Sequence, residues 1–337
     1  MPVLSWTLDF GNEQDKGNRK GQEDYFASFS PVREVVNSDS GFLAVVADGM
    51  GGHTSGGKAS VLAVNTFVET YKRKAPGRSI SEALGDALRS ANQKLVDTNI
   101  KAGQDSDMGT TLVAVVMRAN MLFWVSVGDS RIFLYRGGRL MDVNEIHSYG
   151  AELDVKHKLD QISTEDLEAN KQNRNMLTSY LGLEEIPRVD ISDRPIELRH
   201  GERVLMCTDG LTDALDRNEI ATLLRLHPDK SAQEQCEVIV QHALKKNLPK
   251  QDNITLILLE LKSDADDLLI SPDRDRTLDD VTIPLNTLEY YESSQEIDQT
   301  VQLTPDVTAP DGSRLKLGIA IALVVLLIAA LCICFLL

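Results

Sequence analysis

The chain has 337 residues and a formal net charge of −16, from 51 Asp and Glu against 35 Lys and Arg. That length suffices for one large domain or two small ones with a sizeable core. The acidic balance excludes a basic stripe for nucleic-acid phosphates and docking on anionic lipid through basic patches.

Met1–Phe10 lacks a basic start followed by an apolar stretch, so no secretory leader is expected. The first strand-like run, Phe42–Ala47, closes at Asp48-Gly49. Helical spacing follows in Ala59–Tyr71, with Leu62, Ala63, Phe67 and Tyr71 on one side, and again in Ala83–Leu95. Leu112–Met117 and Leu122–Val127 read as strands, the second ending at Gly128-Asp129-Ser130. Ile132–Tyr135 is a further strand, and Arg136-Gly137-Gly138-Arg139 reads as a hairpin turn. Glu145–Leu183 is polar and weakly periodic, and is expected to form a mobile insertion beside a site. Arg203–Cys207 closes at Thr208-Asp209-Gly210, Ala232–Leu244 is helix-like, and Asp252-Asn253 opens the last run, Ile254–Leu259. Strand runs mixed with long amphipathic helices predict one globular domain over 1–261, built of antiparallel sheets covered by helices.

The acidity is concentrated further on. Residues 262–314 carry 13 Asp and Glu against four Lys and Arg, a net of −9 in 53 residues. Few large apolar residues occur there, so a disordered, self-repelling linker is expected. As a flexible coil it would span roughly 40 Å. Thr277, Thr282 and Thr300 lie near acidic residues and are candidate phosphorylation sites, against the plain reading of a spacer. Residues 315–337 then include an uncharged run from Leu317 to Leu337, which as a helix would be about 31 Å long and match a bilayer core. A buried core helix is the alternative. Arg314 and Lys316 on its N-terminal side place the preceding chain in the cytoplasm by the positive-inside rule. The expectation is a single-pass, tail-anchored membrane protein. None of Cys207, Cys236, Cys332 and Cys334 forms a CxxC pair, which argues against a disulfide framework or zinc site and fits a reducing compartment.

Asp48, Asp129 and Asp209 each follow an apolar strand, and Asp252 opens one. Adjacent antiparallel strands bring the end of one beside the start of another, so these carboxylates can converge on one rim. Converging carboxylates repel and need a cation, and an all-oxygen set suits the hard ions Mg²⁺ and Mn²⁺. The competing reading is that each Asp-Gly simply caps a turn.

Six short motifs carry a resemblance. They are Arg19-Lys20-Gly21-Gln22-Glu23-Asp24, Asp48-Gly49-Met50-Gly51-Gly52-His53, Gly109-Thr110-Thr111, Val127-Gly128-Asp129-Ser130-Arg131, Thr208-Asp209-Gly210-Leu211 and Asp252-Asn253-Ile254-Thr255. In this order the chain resembles the metal-dependent protein phosphatases, the PPM or protein phosphatase 2C type, and most of all their bacterial members. The resemblance covers about residues 5–260. It implies an α+β fold, an αββα sandwich of two antiparallel sheets flanked by helices, followed here by one C-terminal transmembrane helix. It implies two Mn²⁺ or Mg²⁺ ions with Asp48 bridging them, Asp209 and Asp252 on the first, and Gly49 through its carbonyl and Glu23 on the second. Asp129, with Asp209 and the help of Asp213, matches a weaker third site. Arg19 matches the arginine that binds substrate phosphate, the other reading being a surface ion pair with Glu23 and Asp24. The implied catalytic residues are therefore Arg19, Asp48 and Asp209.

The implied reaction is hydrolysis of phosphoserine and phosphothreonine in proteins by a metal-activated water, at the cytoplasmic face of a membrane. Implied partners are phosphorylated proteins, a Ser/Thr kinase and its substrates, and the membrane itself through the C-terminal helix. Two departures stand out. Ile146-His147-Ser148 stands where many members have Asp-His-Ser, and Thr178-Ser179-Tyr180-Leu181-Gly182 where many have Thr-Arg-Ala-Leu-Gly. Met50 stands where many eukaryotic members carry a histidine, and His53 is offset from it. The alternatives are a membrane-tethered pseudophosphatase that holds phosphoproteins without turnover, and a phosphatase dedicated to one regulator.

Overall fold

A strand covered on both faces needs apolar residues at nearly every position, which is how the central runs of this chain read. A computed structural model describes residues 6–30, 36, 38–51, 55–103 and 108–263. The expected linker from residue 264 on, the expected membrane helix over 315–337, and His53 lie outside the described residues. Among the described residues no helix is long and apolar enough to cross a membrane.

Twelve strands and seven α-helices are described, together with a short 3₁₀ turn. In chain order they are β1 (Trp6–Asp15), β2 (Asp24–Phe29), β3 (Phe42–Met50), α1 (Ser55–Lys72), α2 (Ile80–Ala102), β4 (Gly109–Thr110), β5 (Leu112–Arg118) and β6 (Met121–Val127). There follow β7 (Arg131–Arg136), β8 (Arg139–Asp142), α3 (Tyr149–Lys158), α4 (Thr164–Ala169), β9 (Asp190–Ile191) and β10 (Ile196–Glu197). The last are β11 (Arg203–Cys207), α5 (Asp209–Ala214), α6 (Arg217–Leu226), α7 (Ala232–Lys245) and β12 (Ile254–Ser263). One sheet has the order β1-β12-β11-β7-β8. The other has β10-β6-β5-β3-β2, with β4 added to β3 and β9 to β6. Every pairing is antiparallel.

The two sheets face each other across one core. Phe42, Ala44 and Val46 of β3 meet Val204 and Met206 of β11 and Ile257 and Leu259 of β12 there. Phe10 and Phe42 join the layers, with ring centroids 5.3 Å apart. A second core lies outside the five-stranded sheet, where Leu205, Cys207, Leu256 and Leu258 pack on Leu211, Leu224, Ile239 and Val240 of α5–α7. Helices α1 and α2 cover the other sheet through β3 and β6. The layers are therefore αββα, as the resemblance implies.

The expected hairpin forms between β7 and β8, with Gly137 at φ 58° and Gly138 at φ 77°. Two successive left-handed residues make a turn whose twist matches the strands, and glycine adopts it without Cβ strain. Helices α2 and α7 begin with capping boxes, Ser79 with Glu82 and Ser231 with Glu234. The first of these starts α2 three residues before the apolar periodicity does. Strands β1 and β2 lack the continuous apolar signature because they are sheet edges: β1 is mostly only partly buried, and in β2 only the first three residues are buried. Glu145–Leu183, expected as a mobile insertion, holds α3 and α4, and its two arms are tied together. Tyr149 N donates to Met176 O at 2.8 Å and Thr178 N to His147 O at 2.9 Å.

Candidate metal centre

The sheets converge at one edge. Asp48 lies near the end of β3, directly opposite Asp24 of β2. Asp129 sits in the turn that carries the chain from β6 in one sheet to β7 in the other. Asp209 is the first residue of α5, just after β11, and Asp252 comes just before β12, the neighbour of β11. Burial raises the Asp48 carboxyl well above the usual range, and the charges of Asp24, Asp209, Asp129 and Asp252 raise it further. All four sequence-predicted aspartates thus act on one another at a single edge.

Hydrogen bonds around the carboxylates account for most of the motif residues. The Asp48 backbone N donates to Thr111 Oγ1 at 3.0 Å, and Thr111 N donates to Asp48 O at 2.9 Å. Thr110 Oγ1 donates to the same carbonyl at 2.8 Å, and Thr111 Oγ1 lies 2.7 Å from Ser130 Oγ. Asn253 fastens the N-terminal motif. Its Oδ1 accepts from Glu23 N at 2.7 Å, and its Nδ2 donates to Lys16 O and Gly21 O. Gly49 N donates to Glu23 O at 3.0 Å, which sets Glu23 beside the Gly49 peptide. Glycine is required at two points by close approach. A Cβ on Gly49 would sit 2.0 Å from Gly56 O, and one on Gly210 would sit 2.0 Å from Asn253 O.

Asp24 is the member that sequence reasoning missed as a site residue. It is buried, and its Oδ2 accepts from Thr208 Oγ1 at 2.8 Å and Thr255 Oγ1 at 2.7 Å. Burial moves its carboxyl up to about 7, the two threonine hydroxyls opposing that rise. The available signal was the threonine preceding Asp209 and the one three residues after Asp252.

Asp209, Asp129, Asp213 and Glu23 are raised in the same direction. Burial, then Asp129, Asp213, Asp252 and Asp24, push Asp209 to about 8. Burial pushes Asp129 to about 6, with Arg131 opposing it. Asp213 is raised by burial and by Asp252, and Glu23 by burial in spite of Arg19. Arg19 does not pair with Glu23 or Asp24. Its Nη2 forms an ion pair with Asp252, and its side chain is half exposed at the mouth of the edge. Cys207 and Cys236 are buried, and burial pushes the Cys207 thiol up to about 12, so neither supplies a thiolate.

Buried carboxylates that repel one another fit a divalent, oxygen-preferring cation. Asp209 Oδ1 strengthens the fit, being buried with no hydrogen-bond partner among the described residues. Among those residues no three His, Cys, Asp or Glu side chains are drawn together as a closed metal cage.

A family model for protein phosphatase 2C matches residues 20–251. The chain is 31% identical over 230 residues to the serine/threonine phosphatase stp of Listeria welshimeri, a match covering 66% of this chain and 86% of that protein. It is similar to the solved serine/threonine phosphatase PstP/Ppp of Mycobacterium tuberculosis, at 27% identity and a TM-score of 0.60, over 77% of this chain and all of that one. A structure of the PstP catalytic domain in complex with two manganese ions matches at 26% identity and a TM-score of 0.59, over 76% of this chain and 99% of that one. The six motifs, the paired sheets and the carboxylate edge agree with these matches: the chain belongs to the protein phosphatase 2C family of hydrolases.

Proposed function

We propose that the chain hydrolyses phosphoserine and phosphothreonine in proteins at a site that takes two Mn²⁺ or Mg²⁺ ions. The observation that carries this reading is the convergence of Asp48, Asp129 and Asp209, which burial and mutual repulsion raise, on one edge with the more exposed Asp252, and the unpartnered Asp209 Oδ1 among them. Asp48, Asp209 and Asp252 would hold the first ion, and Asp48, the Gly49 carbonyl and Glu23 the second. Asp129 and Asp213 would serve a weaker third site. Bound divalent ions lower the pKa of water and so supply a nucleophile near neutral pH.

The chain's own residues do the rest. Asp24 holds the Thr208 and Thr255 hydroxyls and keeps β2, β11 and β12 in register around Asp48. The half-exposed guanidinium of Arg19, at the mouth of the edge beside Asp252, would bind a phosphate through two parallel hydrogen bonds. There it stabilises the charge that grows on the phosphoryl oxygens. The protein partners are phosphoproteins, including the targets of a Ser/Thr kinase. The names of the relatives support that substrate class.

The domain plan is part of the same proposal, with its first boundary moved two residues on because β12 runs to Ser263: a phosphatase domain over 1–263 instead of the expected 1–261, an acidic linker to 314 and a membrane helix over 315–337, with the catalytic domain in the cytoplasm. Its support is the uncharged run Leu317–Leu337 with Arg314 and Lys316 before it.

Two measurements test these statements. With Mn²⁺ the protein should release phosphate from phosphothreonine and phosphoserine peptides much faster than from phosphotyrosine peptides. Tight Mn²⁺ binding without any release would favour a phosphoprotein-holding role. The full chain should stay in the membrane fraction after an alkaline carbonate wash, and a chain ending at residue 314 should not. Equal extraction of the two would remove the anchor.

A further inference from the structure

The edge has an apolar lip that no step of the reaction uses. Alternation along β3 sends Phe42, Ala44 and Val46 into the core between the sheets, so Asp48 and Met50 lie on that same face. Gly49 faces the other way, against the Gly56 backbone of α1. Met50 pairs with Gly109 of β4. A Cβ on Gly109 would lie 2.9 Å from Met50 Cε and 2.9 Å from Tyr180 Cδ2. The Tyr180 ring and the Met50 side chain therefore meet over a bare glycine, two residues along the strand from Asp48. At the usual rise that is about 7 Å. Both side chains are only partly buried.

The backbone on both sides of Tyr180 is held in place by its neighbours. Leu181 N donates to Thr110 O at 2.8 Å, and Thr110 N donates to Leu181 O at 3.1 Å. Gly182 N donates to Asn92 Oδ1 at 2.8 Å, and Ser179 Oγ accepts from Arg188 N at 2.9 Å. Among the described residues the Tyr180 hydroxyl has no hydrogen-bond partner. What the segment presents is an aromatic surface fixed beside the carboxylates.

We propose that Tyr180 and Met50 form a specificity-determining lip that receives an apolar side chain next to the phosphorylated residue of a substrate peptide. This rests on the phosphatase reading above. Met50 lies only two residues along β3 from Asp48, so the lip is within reach of the residues that flank a phosphorylated side chain entering the carboxylate edge. A rigid aromatic ring gains contact area there with little loss of conformational freedom.

The test compares two phosphothreonine peptides, flanked by Leu or by Asp, with p-nitrophenyl phosphate as a substrate without a peptide. The full chain is used with Mn²⁺. Wild type should favour the Leu peptide by about tenfold in kcat/KM, mostly through KM, the scale of one apolar contact. Tyr180→Ala should bring the two peptides within about twofold of each other, and Tyr180→Phe should keep the preference. Equal turnover of the two peptides by wild type overturns the lip and leaves the phosphatase reading standing. An unchanged preference in Tyr180→Ala overturns it too, as does a loss in that variant that is the same for both peptides and the aryl ester. A wild type that turns over none of the three overturns both readings.

Discussion

Asp24 and Asp209 show how single residues tie this site to pH. Burial, in the metal-free protein, pushes their carboxyls up to about 7 and about 8, above the usual carboxylate range. A carboxyl raised on folding contributes stability that is fully present below its unfolded value and is lost as pH rises through the folded one. The metal-free protein should therefore become less stable between pH 6.5 and 8. His147, whose pKa burial lowers, acts in the opposite sense, but only below about 6.5. Mn²⁺ should reverse the trend, because a cation takes the place of the protons and binds more tightly as they leave. Urea melts at the two pH values, with EDTA or with Mn²⁺, check this. A metal-free protein that gains stability over that window would contradict it. The aspartates that end or open strands were legible, since each sits in a short motif. Asp24 was not, because its threonine partners lie 184 and 231 residues away in sequence. Nor was the Arg19–Asp252 pair, which joins residues 233 apart.

At the level of elements, what makes the site is how closely backbones approach where strands end. Gly210, in the first turn of α5, leaves no room for a side chain, since a Cβ there would meet the Asn253 carbonyl at 2.0 Å. Backbone cannot swing aside as a flexible side chain can. Gly210→Ala should force α5 and the Asp252-Asn253 turn apart, destabilise the fold by about 1–3 kcal/mol and weaken Mn²⁺ binding. Denaturant titration and calorimetry check this, and a variant with wild-type stability and affinity would contradict it. Six strands were legible because both their faces are covered, by the other sheet and by helices. The edge strands β1 and β2 lack that signature. Helix α6 was missed although Asp216 and Glu219 form a capping box, because its apolar stripe is only ten residues long. Helix α5 was hidden behind Asp209, which reads as the end of a strand and is the start of a helix.

Across the whole molecule the charge of −16 divides between two tasks. The carboxylate edge concentrates negative charge where burial makes it costly, and a divalent cation is the economical way to offset it. The segment over 262–314 holds a net of −9 and, in the proposed plan, keeps the catalytic domain clear of the membrane. In the proposed plan the two tasks separate experimentally, because hydrolysis would depend on the edge and localisation on the last residues. The central claim is that the converging aspartates hold metal for phosphoester hydrolysis. The most direct measurement is phosphate release from a phosphothreonine peptide as Mn²⁺ is titrated into wild type and Asp209→Ala. Wild type should be silent in EDTA and active with Mn²⁺, and Asp209→Ala should be slower by about 100-fold or more at saturating metal. An Asp209→Ala protein that keeps pace with wild type, or a wild type equally active in EDTA, would contradict the account.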